Sequence, residues 1–345
     1  MEALPETAQP ASRESTMDDA QSSTMDMASA SATIASLERE FLDYALAQAH
    51  PLLRLWRGEA LEADLQEEVA AILAMVGDED GARRVAAIMQ VLGLPSSHYR
   101  GRVLAPGGAR CIAHIDFPDP SGGFPFVKIR CASEPPGSVA GWRPLADGII
   151  GAFAQFRPRA VRFFHPSHLP LRAPATHPHM HLLAAPAQSM AERADAPGLA
   201  RVELRRAAGL EFYPQYEAVY AQMLDRRPHL RGEVGAESQP SLAECLEQGL
   251  LSEVFVDGTW SGIFAARRDR VAGVRGLQVV EIVLTQSARG QRLGQAVHQR
   301  FARSVAQADP ATILMGTISP KNTPSLRTAL RAGRMEIGAF LWVDL

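Results

Sequence analysis

The stretch from Val280 to Ala296 reads VEIVLTQSARGQRLGQA, and it is the strongest indication of the fold in this sequence. An apolar, β-rich segment enters a turn that contains Gly290, and a helix opens on the far side of that turn. The first backbone N–H groups of a helix have no partner within the helix, and the helix dipole is positive at that end. A pyrophosphate group satisfies both needs, so the stretch predicts a phosphate-binding turn.

The residues of this turn suit a phosphate ligand. Arg289 and Arg292 add positive charge, while Gly290 and Gly294 let phosphates approach the backbone closely. A second strand–helix unit follows along the chain. Its strand is predicted over 312–318 and its helix over 324–332.

The two units together resemble the acyl-CoA signatures of the GNAT superfamily of N-acetyltransferases. In the first signature, Arg/Gln-x-x-Gly-x-Gly/Ala, Arg289 and Gly294 hold the outer places, and Arg292 replaces the middle glycine. In the second, an Asn begins the helix and a Gly ends it. The matching places are held by Asn322, Ser325 and Gly333. The resemblance covers 200–345 and implies an acetyl-CoA-dependent N-acyltransferase domain there.

The resemblance also implies which residues bind the co-substrate. In this family the strand before the turn splays away from its neighbour, pairs through its backbone with the pantetheine arm and polarises the acyl carbonyl. The matching backbone groups belong to Ile282, Val283 and Leu284, whose side chains also suit core packing. The remaining predicted contacts are Arg289, Gly290, Gln291, Arg292, Leu293, Gly294, Gln295, Asn322 and Ser325.

A glutamate interrupts the apolar strand. A carboxylate in that position is costly unless it is paired, exposed in a cleft or functional. The reaction needs an amine freed of its proton, and a carboxylate near the splay can remove that proton. Glu281 is therefore the leading candidate base, and a structural ion pair or a rim position is the alternative interpretation. Glu253, on a neighbouring predicted strand, is the second candidate.

The general acid is missing from its usual place. Many members of the family carry a tyrosine seven residues after the signature Asn, and Ala329 stands there in this chain. Tyr213, Tyr216 and Tyr220 are spaced three and four residues apart, which puts them on one face of a predicted helix. In the family this helix borders the acceptor pocket, so the three are predicted to line a substrate pocket. An aromatic core face is the alternative.

The order of predicted elements gives the fold class. From about residue 200 the order is β-α-α-β-β-β-α-β-α-β, which indicates an α/β (α+β) fold with a GNAT-like mixed central sheet flanked by helices. We divide the chain into a disordered segment 1–34, a helical and then α/β domain 35–199, and the acyltransferase-like domain 200–345. The middle domain repeats part of the order. It is a degenerate GNAT-like copy, a platform for a homodimer, or a lid over the acceptor pocket.

The composition excludes several classes of protein. The net charge is −3 over 345 residues, and no basic stripe with interleaved aromatics is present, so no nucleic-acid partner is expected. No apolar run of about 18 residues occurs, so neither a transmembrane helix nor a membrane partner is expected. The start of the chain lacks a signal pattern, and its three cysteines are too scattered for a disulfide framework. These features predict a cytoplasmic protein.

Five histidines lie in a proline-rich segment. They are His165, His168, His177, His179 and His181. If 177–183 formed a strand, the last three would share one face and could bind zinc. Pro178 argues against a central strand. We therefore expect a loop or an interdomain surface here, and no metal.

The sequence thus predicts an enzyme that transfers an acetyl group from acetyl-CoA to a primary amine, which attacks the thioester directly. The expected acceptor is a small molecule, and a protein amine is the next option. A non-catalytic acyl-CoA-binding regulatory protein is the first alternative, because Arg292 and Ala329 depart from the signatures. A metal-dependent hydrolase that uses the histidine segment is the second.

Overall fold

The computed structural model describes residues 22–89, 92–105, 110–117, 124–133, 139–171, 176–232 and 234–344. Within them the helices are α1 (Ser22–Gln48), α2 (Pro51–Arg57), α3 (Ala60–Ala74), α4 (Glu79–Ile88), α5 (Val139–Ala152), α6 (Ala187–Ala191), α7 (Tyr213–Arg226), α8 (Gln239–Glu247), α9 (Leu293–Ala308) and α10 (Thr323–Arg331). The strands are β1 (Arg102–Leu104), β2 (Cys111–Asp116), β3 (Phe126–Ala132), β4 (Ala160–Pro166), β5 (Thr176–Pro186), β6 (Val202–Arg206), β7 (Leu251–Val256), β8 (Thr259–Val271), β9 (Val274–Leu284), β10 (Ile313–Ile318) and β11 (Met335–Asp344).

The described strands form one mixed sheet of eleven, in the order β1-β2-β3-β4-β11-β5-β10-β9-β8-β7-β6. From β6 to β11 the element order is the predicted one, and the predicted mixed sheet flanked by helices is confirmed. The unit β3-α5-β4 repeats the unit β9-α9-β10, because both join parallel neighbouring strands through one helix. This repeat is the arrangement expected of a degenerate copy.

The last strand of each half is exchanged. Strand β5 lies beside β10, whereas β11, the last strand of the chain, lies beside β4. The two exchanged strands also pair with each other in an antiparallel manner at the centre of the sheet. The domain boundary at 199/200 stays a prediction, but a strand from its N-terminal side is built into the C-terminal half.

The N-terminal segment differs in part from the prediction. Residues 22–34 belong to helix α1, although the sequence predicts disorder over 1–34. The rest of that predicted segment lies outside the described residues.

Strand β9 is covered on both faces of the sheet. On one face α9 presents apolar residues at helical spacing, among them Ala296, Val297 and Phe301, to a core that includes Phe264. From β9 itself, Leu277 and Val279 pack on this core, whereas Val280 and Val283 pack on the other face with residues of helices α7 and α8. A strand buried on both faces reads as a nearly continuous apolar run, which explains the sequence of β9.

The long β8–β9 hairpin joins the two halves. Its two-residue turn, Ala272-Gly273, has positive φ at both positions, as a tight hairpin turn requires. A Cβ atom built on Gly273 would lie 2.7 Å from the Leu65 side chain of α3, so the hairpin tip packs closely on that helix. Nη1 of Arg275 also lies 3.1 Å from a carboxylate oxygen of Glu67.

Candidate active site

Strands β9 and β10 separate after a short parallel ladder. They pair at Leu277 with Leu314 and at Gln278 with Met315, and the described ladder ends there. Beyond that point β9 still pairs with β8 on its other side, and β10 with β5. The gap between the diverging strands opens into a cavity of about 740 Å³, which we call the splay cavity. The predicted residues Ile282, Val283 and Leu284 line it.

The predicted phosphate turn forms one wall of the splay cavity. The predicted contacts that line it are Arg289, Gly290, Arg292, Leu293, Gly294, Asn322 and Ser325. Gln291 and Gln295 are not among its lining residues. Gln291 instead accepts a hydrogen bond from Arg201 and donates one to the carbonyl of Ser287. The structure therefore brings most, but not all, of the predicted contacts together.

Arg292 is the N-cap residue, which directly precedes helix α9. Its φ of 61° and ψ of 14° are left-handed, and no side chain of the described residues caps the helix. Glycine reaches this conformation freely, whereas other residues there cost about 1 kcal/mol or more. The geometry explains why the signature has a glycine at this place. Because the Arg292 side chain is exposed, the departure leaves the first N–H groups of α9 uncovered.

Gly294 has a packing role as well. A Cβ atom built on Gly294 would lie 2.9 Å from Cγ2 of Thr328 on α10. A side chain here would push apart the two helices whose N-terminal ends border the splay cavity. Asn322 caps α10 by accepting a hydrogen bond from the backbone N–H of Ser325 at 3.4 Å. Helix packing and capping thus fix the shape of this wall.

The lining of the splay cavity is strongly cationic. Its arginines are Arg227, Arg267, Arg289, Arg292, Arg327, Arg331 and Arg334, against the carboxylates of Glu237 and Glu281. Arg289 donates a hydrogen bond to the Leu284 carbonyl at 2.7 Å, which ties the turn back to β9. Burial and the nearby Arg227 lower the pKa of Arg289. A cavity with this charge suits a polyanionic ligand.

Sequence reasoning missed a buried cation in this cavity. Arg334, at the end of the turn before β11, is only 3% exposed, and its Nε has no hydrogen-bond partner among the described residues. Its Nη2 lies 3.4 Å from Nδ1 of the equally buried His298 on α9. Burial lowers the pKa of Arg334 to about 10, and burial with the adjacent guanidinium lowers that of His298. A guanidinium left without a carboxylate among the described residues suits an acceptor group on a ligand.

Glu281 lies at the centre of the site and is 5% exposed. Tyr216 donates a hydrogen bond to its Oε2 at 2.5 Å, and Tyr220 donates to the same oxygen at 2.8 Å. The hydroxyl of Tyr216 in turn accepts the backbone N–H of Glu237. The chain of contacts holds the carboxylate in one orientation. No basic side chain of the described residues forms an ion pair with Glu281, so the predicted structural ion pair is absent from that part of the chain.

A β-bulge decides which way Glu281 points. The register with β8 shifts between Ala265 and Ala266, opposite the segment from Val279 to Glu281. Val279 packs towards the α9 side, whereas Val280 packs with the α7 side. The Glu281 carboxylate reaches the tyrosines of α7, on that same side. Its backbone neighbours still line the splay cavity.

The environment of Glu281 changes its acidity. Burial raises the pKa of this carboxyl from 4.5 to about 7, and the hydrogen bonds from Tyr216 and Tyr220 limit the rise. Burial and the Glu281 charge raise the pKa values of both phenols, so they act as donors at neutral pH. A carboxyl that titrates near neutrality is suited to proton transfer.

The other predicted site residues lie elsewhere. Of the three tyrosines, Tyr220 alone is among the residues that line the splay cavity, and Tyr213 donates to the carbonyl of Glu237. Glu253 lies on β7 opposite Arg205 and is not a lining residue. Ala329 is buried within α10, so this place offers no acid.

The histidine segment is a central strand, and the predicted loop is wrong for 176–186. Strand β5 accommodates Pro178 because the register with β11 shifts where Pro178 faces Leu341, a site where the ladder tolerates the missing N–H. Nδ1 of His181 lies 2.8 Å from a carboxylate oxygen of Glu336, and His179 packs against Trp342. The described residues contain no group of three metal-ligating side chains.

Two searches return nothing: no protein-family model matches the chain, and no curated protein matches it significantly. No helix among the described residues is both long and apolar enough to cross a membrane.

Several solved structures are similar to the chain. A GCN5-related N-acetyltransferase from Kribbella flavida is 17% identical, with a TM-score of 0.42, and the alignment covers 76% of this chain and 95% of that one. A second, from Sphaerobacter thermophilus, is 13% identical, with a TM-score of 0.44 and coverages of 80% and 91%. A tandem GNAT protein from the clavulanic acid biosynthesis pathway is 13% identical, with a TM-score of 0.41 and coverages of 74% and 87%. At this level of similarity the function has to be argued from the chain's own residues.

Proposed function

We propose that the chain is an acetyl-CoA-dependent N-acyltransferase that acetylates the primary amine of a small molecule. The observation that carries the proposal is Glu281, a buried carboxylate with a pKa near 7 that lies on the wall of the splay cavity. A buried carboxylate without an ion pair lowers stability, so its presence on the wall of a cavity favours a catalytic role over a purely structural one.

The splay cavity fits the co-substrate. The uncovered N-terminus of α9 and the flanking Arg289 and Arg292 suit a pyrophosphate. The free edge of β9 beyond Gln278 offers backbone groups to the amides of an extended arm, as an added strand would. When bound, acetyl-CoA supplies the thioester that the amine attacks.

Side chains of the protein can remove the proton from the acceptor amine. Glu281 takes it from the amine, directly or through one water, while Tyr216 and Tyr220 position the carboxylate. The amine nitrogen forms the new C–N bond, the C–S bond breaks, and the proton returns to the thiolate or to solvent. Burial raises the pKa values of Cys111 and Cys131 to about 12 and that of Cys245 to about 11, which disfavours a thiolate nucleophile and favours direct attack.

Two measurements test the proposal. Calorimetric titration with acetyl-CoA should show saturable binding that Arg292→Glu weakens at least tenfold. The matched control is Arg268→Glu, which makes the same charge reversal at an exposed arginine outside the cavity and should leave binding unchanged. If the wild-type protein did not bind acetyl-CoA at about millimolar concentration, the proposed acetyl-CoA-dependent activity would be contradicted.

The second measurement is CoA release in the presence of a panel of amines. Wild-type protein should release CoA with at least one amine, and Glu281→Gln should lose that activity while it still binds acetyl-CoA. Binding without release for any amine would instead favour a non-catalytic acyl-CoA-binding protein, the alternative that the departures at Arg292 and Ala329 suggest.

A further inference from the structure

A second cavity, of about 400 Å³, lies between the two halves of the molecule. Its walls come from helices α1 and α3, strands β3 and β4, and the β8–β9 hairpin, and we call it the interhalf cavity. Arg267, Gln278 and Thr317 line both this cavity and the splay cavity. Since Gln278 belongs to the last parallel pair of β9 and β10, the two cavities adjoin at the floor of the splay.

The interhalf cavity carries an excess of positive charge. Its basic lining residues are Lys128, Arg130, Arg162, Arg267 and Arg270, and its acidic ones are Glu68 and Asp269. Lys128 and Arg162 are direct neighbours across the β3–β4 ladder. Burial and the nearby Arg130 and Arg162 lower the pKa of Lys128 to about 8. Burial and the same three cations lower the pKa of His114, on the adjacent strand, to about 3.

Polar atoms in this cavity lack partners. Among the described residues, Nε of Arg162, Nε of Arg270 and Oε1 of Gln278 are buried and make no hydrogen bond. Arg162 lies over Phe340, with its guanidinium carbon 4.6 Å from the ring centre. Arg162 forms no ion pair with any of the described residues. The two Nε atoms are donors that suit an oxyanion, whereas Oε1 of Gln278, like the unpartnered Oε2 of Glu68 in the same lining, is an acceptor. Buried polar atoms that converge on one cavity without partners indicate that a ligand or water completes them.

From this geometry we propose that the interhalf cavity binds an oxyanion carried by the acceptor, so that the substrate is an amine with a carboxylate or phosphate group. The inference rests on the proposed function, because the splay cavity would supply the reacting thioester. A guanidinium that lies over an aromatic ring and has an unpartnered Nε can donate to an oxygen of such a group. Polyamines and other cationic amines would be repelled by the same residues.

The strand geometry sets the length of the acceptor. Gln278 precedes Glu281 by three residues on β9, but the bulge between them leaves two steps of the β8 ladder, from Arg267 to Ala265, so at about 3.4 Å per step the two lie about 7 Å apart along the sheet. The proposed oxyanion ligands Arg162 and Lys128 lie on β4 and β3, and β11, β5 and β10 separate these strands from β9 in the sheet, so the amine and the oxyanion need a spacer of several bonds at least. This favours an ω-amino acid or an amino-alkyl or amino-sugar phosphate over an α-amino acid.

The test compares amines that differ only at the far end. A series of ω-amino carboxylates of increasing length is assayed beside the matching phosphates and the uncharged amides. We expect kcat/KM to be at least tenfold higher for the best anionic amine than for its amide, and Arg162→Met to remove that preference through KM. Arg268→Met, at an exposed arginine outside both cavities, is the control. Equal use of anionic and uncharged amines would overturn the inference, and the carboxylate and phosphate arms identify the oxyanion.

A second readout does not depend on turnover. Inorganic phosphate should raise the unfolding temperature of wild-type protein, and both Arg162→Met and Lys128→Met should reduce that rise although they bind acetyl-CoA as wild type does. An undiminished rise in both variants would contradict the inference. If the wild-type protein did not bind acetyl-CoA, the proposed function would be contradicted instead. Failure of the oxyanion site and failure of the proposed function are therefore distinguishable.

Discussion

Replacing Glu281 with Gln should make the protein more stable, and by an amount that depends on pH. Burial raises the pKa of this carboxyl from 4.5 to about 7, so between these values the folded protein binds a proton that the unfolded chain has released. The free energy of unfolding therefore falls as pH rises through this window and is level above it. At 1.36 kcal/mol per pKa unit, the full effect is about 3 kcal/mol.

Glu281→Gln removes this pH dependence of the free energy of unfolding and changes few other interactions. The Gln amide oxygen can still accept a hydrogen bond from Tyr216 or Tyr220, and the side chain keeps its size. Burial of the charge lowers the free energy of unfolding by about 1 kcal/mol at pH 5.5 and by about 3 kcal/mol at pH 8.5. Relative to wild type, Glu281→Gln should thus gain about 2 kcal/mol between the two pH values.

Urea denaturation at pH 5.5 and pH 8.5, followed by far-UV circular dichroism, measures this gain. Glu253→Gln is the matched control, because it makes the same change on strand β7, two strands from β9 in the sheet and outside the splay cavity. Other titrating groups cancel in the difference between wild type and variant unless they couple to Glu281. A stability difference that is the same at both pH values would refute the burial argument. In the same variant, acyl transfer should fall about 10²–10⁴-fold.

Three further changes probe the walls of the splay cavity. Arg292→Gly should raise the free energy of unfolding by up to about 1 kcal/mol, because glycine relieves the strain that Arg292 carries at a φ of 61°. Arg292→Val should lower it by about 1–2 kcal/mol, because a β-branched side chain is strained further in this conformation. Urea denaturation distinguishes the two. Gly294→Ala should lower stability by about 1–3 kcal/mol through contact with Cγ2 of Thr328, and adding Thr328→Ser, which removes that methyl, should restore most of it. Arg334→Met should raise stability by about 1–3 kcal/mol by removing a buried, unpaired charge, while calorimetry shows weaker acetyl-CoA binding.

The features that the sequence predicts are those encoded locally. The turn around Gly290, the helix that follows it and the cap at Asn322 depend on a few adjacent residues, and the structure contains all three. The apolar run of β9 likewise identifies a strand that is buried on both faces. Such patterns over a few adjacent residues are enough to predict the order of helices and strands after residue 200.

The missed features depend on residues far apart in the chain. The exchange of β5 and β11 joins segments more than 100 residues apart, as in the pair of His181 with Ala339, and no periodicity in either strand reports its partner. The loop predicted around Pro178 is wrong because a bulge formed with β11 accommodates the proline. Arg334 and Arg162 look like ordinary surface arginines in sequence, and only the assembled sheet buries them.

The strand exchange also links the two proposed binding events. Strand β5 covers the edge of β10 and contributes Met180 to the splay cavity, so the C-terminal half cut out at residue 200 would expose an unpaired edge beside its own site. The N-terminal half is equally incomplete, because β4 pairs with β11 from the end of the chain. Neither half is a closed unit. The interhalf cavity exists only where the halves meet, and it adjoins the splay cavity through Gln278. Under these proposals the acceptor is recognised where the two halves meet and the co-substrate by the C-terminal half, so the N-terminal half has a role in substrate choice.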